Sequence, residues 1–170
     1  MIIEKFNELD KLITYLKNDE KNLIINAINT SNKAHQNQLR KSGEPFIYHP
    51  IEVAKILTSI KLDADSIAAG LLHDTVEDTN VTPADITQEF GPKIAKLVVE
   101  LTDVSKPEDG NRKTRKAIDR DKLAGVSAEA QTVKYADLIS NGKDIAQNDP
   151  KFAKVYHAEK ADLLRVMTKG

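Results

Sequence analysis

Apolar residues recur at i, i+3 and i+4 along most of the chain, and alternating β-branched runs are almost absent. That period predicts amphipathic helices rather than strands. Leu9, Leu12, Ile13 and Leu16 form a first stripe, and a second helix is predicted over 21–39 with Leu23, Ile24, Ala27 and Ile28 inside. "RKSGEPFIYHP", residues 40–50, reads as a loop by its Ser-Gly and two prolines. Pro50 suits the first turn of the following helix, 51–60, because no N–H is needed there. That helix buries Val53, Ile56 and Leu57. The next is predicted over 64–77 and runs from the apolar "SIAAGLL" into "HDTVED". In "VTPADITQEFG" Thr82 is a candidate N-cap, Pro83 the first helical residue and Gly91 the stop. Pro92 starts another helix, "SKPEDGN" at 105–111 is loop-like, and Ser127 and Pro150 introduce the last two helices. The pattern predicts an all-α domain of about eight helices. There is no repeat, low-complexity tract or long linker, so residues 1–170 are expected to form one domain.

Composition narrows the class. Of 170 residues, 40% are hydrophobic and 30% charged, the balance of a globular protein rather than a disordered one. No apolar run approaches the roughly 20 residues of a membrane span, and the amphipathic start does not read as a signal peptide. With no cysteine, disulfide and thiolate chemistry are excluded, and a cytoplasmic location is expected. A net charge of −1 gives no bulk signal for DNA or RNA binding, so any nucleotide must be held by a local patch.

Chemistry concentrates after "SIAAGLL". His73 and Asp74 end an apolar helical run, so they face the core, where a free charge is costly. On a helix, Glu77 and Asp78 lie one turn further on. A lone His-Asp pair reads first as an ordinary helix end. His49 at a loop-to-helix junction and Asp137 on the apolar face of Val133, Ala136 and Ile139 change that reading. Two imidazoles and two carboxylates suit Mn²⁺, Fe²⁺ or Zn²⁺. Arg40 alone reads as a surface arginine, Ser42 as a turn residue, His35 as a core or supporting histidine. The basic run Arg112 to Lys122 reads first as a solvated face and second as a steering patch for an anion.

His…His-Asp…Asp is the signature of the HD superfamily of metal-dependent phosphohydrolases. "AHQNQLRKSGEPFIYHPIEVAKIL", "LLHDTVEDT", "FGPKIAKLVVELTDVSK" and "VKYADLISN" together resemble the hydrolase domain of the RelA/SpoT family, over about residues 22–165. The resemblance implies a small single-domain alarmone hydrolase that removes the 3′-pyrophosphate of ppGpp and pppGpp. It implies Mn²⁺ held by His49, His73, Asp74 and Asp137. Glu77 and Asp78 would position and activate the water, and Arg40, Lys41, Ser42 and Asn141 would bind the nucleotide. One position departs: the family usually has a basic residue directly after the last metal aspartate, and this chain has Leu138. The resemblance therefore leaves two alternatives open, another nucleotide such as an adenosine alarmone or NADPH, and a silent nucleotide-binding regulator.

Overall fold

The computed structural model describes residues 2–170. It holds ten α-helices, one 3-10 turn and, among the described residues, no strand beyond an isolated bridge between Leu39 and Pro45. The helices are α1 (Ile2–Leu12), α2 (Asn18–Ala34), α3 (Tyr48–Ser59), α4 (Ala64–Leu72), α5 (Thr75–Asp78), α6 (Pro83–Phe90), α7 (Pro92–Leu101), α8 (Arg112–Gly125), α9 (Ala128–Asn148) and α10 (Pro150–Leu164). None of them is long and apolar enough to cross a membrane among the described residues.

The all-α expectation holds, but the helix count is higher than eight, for a local reason. The segment predicted as one helix over 64–77 breaks after Leu72. His73 Nδ1 donates to the Gly70 carbonyl at 2.8 Å and Thr75 Oγ1 donates to the Leu72 carbonyl at 2.7 Å. Side chains thus satisfy acceptors that the helix ladder would otherwise use, and the chain turns before α5. The second helix likewise stops at Ala34 rather than 39, and Asn37 adopts a left-handed φ of 69° in the turn that follows. The caps fall where the sequence puts them. Thr82 accepts from the Asp85 N–H at 3.2 Å, Ser127 accepts from the Ala130 N–H at 3.2 Å, and Gly91 takes φ 84°.

α4 is the central helix, packed against α2, α3, α7 and α9. Every residue from Ala64 to Leu72 except Asp65 is buried. Ile24, Ala27 and Ile28 of α2, Val53 and Leu57 of α3, and Val133 and Ala136 of α9 close around it. Two expected core positions lie outside: Leu12, in the last turn of α1, is 44% exposed, and Ile139, on the outer face of α9, is 42% exposed.

Gly70 marks the closest approach in this core. A Cβ there would sit 2.6 Å from Leu57 Cδ1 and 3.3 Å from Val53 Cγ1. Gly70→Ala is expected to destabilise the protein by about 1–3 kcal/mol through overpacking. Thermal unfolding of that variant checks it.

Candidate metal centre and active site

Three helices deliver the polar floor of the site. α3 starts just before His49, so its first turn brings that ring inward. α4 ends at the core, so His73 and Asp74 emerge from the most buried helix of the fold. On α9, Val133, Ala136, Asp137 and Ser140 share one inward face at helical spacing.

The ring centroids of His49 and His73 are 5.2 Å apart. His49 Nε2 lies 3.1 Å from Asp137 Oδ1 and 3.6 Å from Asp74 Oδ2. His73 Nε2 lies 3.1 Å from Asp74 Oδ1 and 3.7 Å from Asp137 Oδ1. One donor atom from each of His49, His73 and Asp74 falls within 4.8 Å of the others. Asp137 joins this group through its Oδ1.

The far side of each ring fixes its chemistry. The Gly70 carbonyl can only accept, so His73 Nδ1 carries the proton and its Nε2 presents a lone pair. His49 Nδ1 lies 2.9 Å from the Ser140 hydroxyl, which lets it donate in the same way. Both Nε2 atoms are buried and make no hydrogen bond among the described residues. Two lone pairs facing two carboxylates call for a positive charge. Burial opposes protonation of His73, but Asp74 and Asp137 outweigh it and push its pKa up to about 10. A divalent cation answers the same demand. Bonds of about 2.1 Å to nitrogen and oxygen imply donor–donor edges of roughly 3 Å, which the shorter separations match. The residues fit a metal.

Asp137 is the best-anchored of the four. It is buried, its Oδ2 pairs with Lys134 Nζ at 2.8 Å, and its Oδ1 accepts from Asn141 Nδ2 at 2.6 Å. Burial alone would raise its pKa, yet Lys134 and the two histidines hold it well below the usual carboxylate range. Lys134 is correspondingly raised.

Above this floor opens a cavity of about 1150 Å³. That is the upper end for small-ligand sites, which run about 300–1,000 Å³. Glu77 and Asp78 line it beside Asp74. Glu77 Oε2 accepts from the Asp103 N–H at 2.9 Å. Partial desolvation in the cavity wall raises both carboxyl pKa values, helped by Asp103 for Glu77 and by Asp74 for Asp78.

Arg40 also lines the cavity. Its Nη2 donates to Asp144 Oδ2 at 2.8 Å and to Asn141 Oδ1 at 3.0 Å, and its Nε donates to Asp144 at 3.3 Å. Asn141 therefore bridges Arg40 to Asp137. Lys41 lines the rim, 75% exposed on its side chain, and pairs with Asp149 at 3.3 Å. Ser42 is not among the lining residues; its Oγ accepts a long 3.5 Å bond from the Glu44 N–H in its own turn. Arg112, Lys113, Lys116 and Arg120 of the basic run line the cavity, with Arg112 and Lys113 exposed and Lys116 and Arg120 paired to Asp119 and Asp121. His35 is buried, stacked on Phe46 at 4.4 Å.

Four residues in this site escaped the sequence reading. Lys134 and Ser140, each three residues from Asp137, could have been found from helical spacing. Asp103 and Asp144 act across long sequence separations and left no signal. The uncharged position after Asp137 is also met differently: Lys160 Nζ from α10 donates to the Leu138 carbonyl at 3.0 Å, bringing a cation to that wall.

Comparisons with known proteins agree with this geometry. Residues 27–164 match the family described as an HD domain. The chain is 44% identical over 147 residues to a chloroplastic protein of Oryza sativa subsp. japonica named a putative GTP diphosphokinase, covering 80% of this chain and 16% of that one. It is 57% identical over 76 residues to a GTP pyrophosphokinase of Myxococcus xanthus, covering 45% of this chain and 10% of that one. The chain thus spans only a small part of such relatives. Among solved structures, a metazoan ortholog of SpoT, which hydrolyzes ppGpp and plays a role in starvation responses, aligns with a TM-score of 0.76 at 27% identity, covering 85% of each chain. A protein of Listeria monocytogenes EGD-e aligns with a TM-score of 0.62 at 28% identity, covering 75% of this chain and 83% of that one.

Proposed function

This chain belongs to the HD-domain family, and from that premise we propose that it is a metal-dependent hydrolase of the guanosine alarmones ppGpp and pppGpp. It releases the 3′-pyrophosphate and leaves GDP or GTP. The observation that carries this reading is the pair of orphaned imidazole nitrogens facing Asp74 and Asp137, at the floor of a cavity lined by both cations and carboxylates. The likeness to a ppGpp-hydrolysing SpoT ortholog supports the substrate.

His49, His73, Asp74 and Asp137 would hold the ion, and Mn²⁺ suits their mixed nitrogen and oxygen donors. Bound there, such an ion supplies Lewis acidity and lowers the pKa of water. Water attacks the phosphorus attached to the ribose 3′ oxygen. The bond from that phosphorus to the 3′ oxygen breaks, the ribose oxygen takes a proton, and the pyrophosphate leaves with the water oxygen. Glu77 is tethered by the Asp103 N–H and orients the water. The Asp78 carboxylate accepts no hydrogen bond among the described residues, whereas Glu77 is already engaged by Asp103, which leaves Asp78 the freer proton acceptor. Asp144 and Asn141 clamp one edge of Arg40, leaving its planar face for a base to stack on. Lys41 and the α8 cations receive phosphate charge. A cytoplasmic location is consistent with a nucleotide substrate.

The deciding assay incubates the protein with Mn²⁺ and ppGpp, pppGpp, adenosine alarmones and NADPH in parallel. Pyrophosphate and GDP or GTP are the expected products. Turnover of another nucleotide with no pyrophosphate from either guanosine alarmone would sink the substrate assignment. Arg40→Ala is expected to raise KM about tenfold, the loss of one stacking contact of about 1.4 kcal/mol. Its kcat should change little. Steady-state kinetics separate the two.

A further inference from the structure

Asp119 is a buried carboxylate, 3% exposed, on a helix otherwise rich in cations. An ionised group in such a place needs a full set of partners, and Asp119 has one. Its Oδ1 accepts from the Val104 N–H at 3.0 Å and from the Ser105 N–H at 2.9 Å, and its Oδ2 accepts from the Ser105 hydroxyl at 2.8 Å. All three donors belong to the short connection that follows α7. Lys116, one turn before Asp119 on α8, pairs with Asp103 Oδ2 at 2.8 Å. Lys122, one turn after it, reaches the Thr102 carbonyl. Residues 102–105 are therefore fastened to α8 at every step.

Two main-chain donors in this strap point away from α8: the Thr102 N–H closes α7 on the Val98 carbonyl at 3.0 Å, and the Asp103 N–H meets Glu77 Oε2 at 2.9 Å. α8 itself meets the rest of the fold chiefly through α10 and the 107–109 turn. The hold of Asp119 on the 104 and 105 backbone amides, beside the Lys116 and Lys122 contacts, thus ties α8 and the strap to the acid end of the site. Asp119 has spent its lone pairs on the strap, so it acts through backbone rather than on substrate.

We propose that Asp119 is a positioning residue that sets the orientation of the Glu77 carboxylate through the 103–105 backbone. The inference rests on the reading of Glu77 as the water-orienting acid. It also gives the strap a purpose: α8 carries cavity cations and, through Asp119 among its contacts with the strap, fixes the water-handling acid.

The test uses the full chain loaded with Mn²⁺, with ppGpp as substrate. Asp119→Ala is expected to lower kcat about 10–100-fold, the usual cost of removing a group that orients a functional one, with KM and metal content unchanged. Asp119→Asn keeps the Oδ1 acceptor for both N–H groups and should recover most of the rate. In a Glu77→Ala background, which removes the acceptor of the Asp103 N–H, adding Asp119→Ala should change kcat less than twofold, because its route passes through the Glu77 side chain. An equal loss in both backgrounds, or a fall in metal content parallel to the fall in rate, would overturn the proposal. Ser105→Ala removes a single bond and tests the same path if Asp119→Ala does not fold; a severalfold loss confined to the wild-type background is expected, and no loss overturns it. Amide exchange at Asp103 gives a readout free of turnover. Its protection should drop in Asp119→Ala, and unchanged protection refutes the inference even if wild-type protein leaves ppGpp intact, a result that would count separately against the substrate assignment.

Discussion

Replacing Asp78 by Asn should cut turnover of ppGpp by about 10²–10⁴-fold, the usual worth of a positioned proton acceptor. Metal content should not change, because Asp78 lies a turn beyond the proposed ligand pair of His73 and Asp74. The pH profile gives the more specific signature. The wild-type carboxyl titrates above its ordinary value because the cavity wall desolvates it and Asp74 lies close. The acceptor must be ionised to work, so the rate should fall as pH drops through that raised pKa, and Asp78→Asn should abolish this acid limb. Stability should move the other way. A carboxyl with a raised folded-state pKa favours folding while protonated, below the unfolded-state value, and that contribution is lost as pH rises through the folded-state pKa. At neutral pH the charged carboxylate is therefore a small burden, and removing it should raise the melting temperature slightly. A variant that loses activity while gaining stability cannot owe its loss to misfolding. A rate within twofold of wild type would take the proton-acceptor role away from Asp78.

The helices were legible because an apolar stripe at period 3.6 depends only on neighbouring residues. The caps at Thr82 and Ser127 were legible for the same reason, each being a local hydrogen bond. The break after Leu72 was not, because it depends on where the His73 and Thr75 side chains find acceptors, and periodicity carries no such information. Within the site, His49, His73, Asp74 and Asp137 stood out as polar residues where the pattern demands apolar ones. Their supports stood out less the further away they lay in sequence. Lys134 was within reach of helical spacing, whereas the pairing of Arg40 with Asp144 and of Glu77 with Asp103 is created by the fold. Ser42, matched by motif, sits in its own turn outside the cavity lining.

Asp137→Ala should be the most damaging single change, because it removes a proposed metal ligand and a structural ion together. The carboxylate pairs with Lys134, lies against both histidines and accepts from Asn141. Without it, Lys134 keeps its charge in a largely buried place, where losing the partner of a buried pair costs about 3 kcal/mol. For a chain of this size that corresponds to a fall of roughly 10 °C in melting temperature. Asn141 also loses its acceptor, and with it the link that ties Arg40 to the floor of the site. Metal content and hydrolysis should both fall to background. A second substitution separates the two roles. Adding Lys134→Met to Asp137→Ala removes the orphaned charge while keeping an apolar stem of similar length, so much of the stability should return. Metal binding and turnover should not, because only the Asp74 carboxylate is left to face the two Nε2 lone pairs. Recovery of stability without metal would assign Asp137 both duties, whereas full metal content in Asp137→Ala would remove it from the ligand set and leave His49, His73 and Asp74 as the centre.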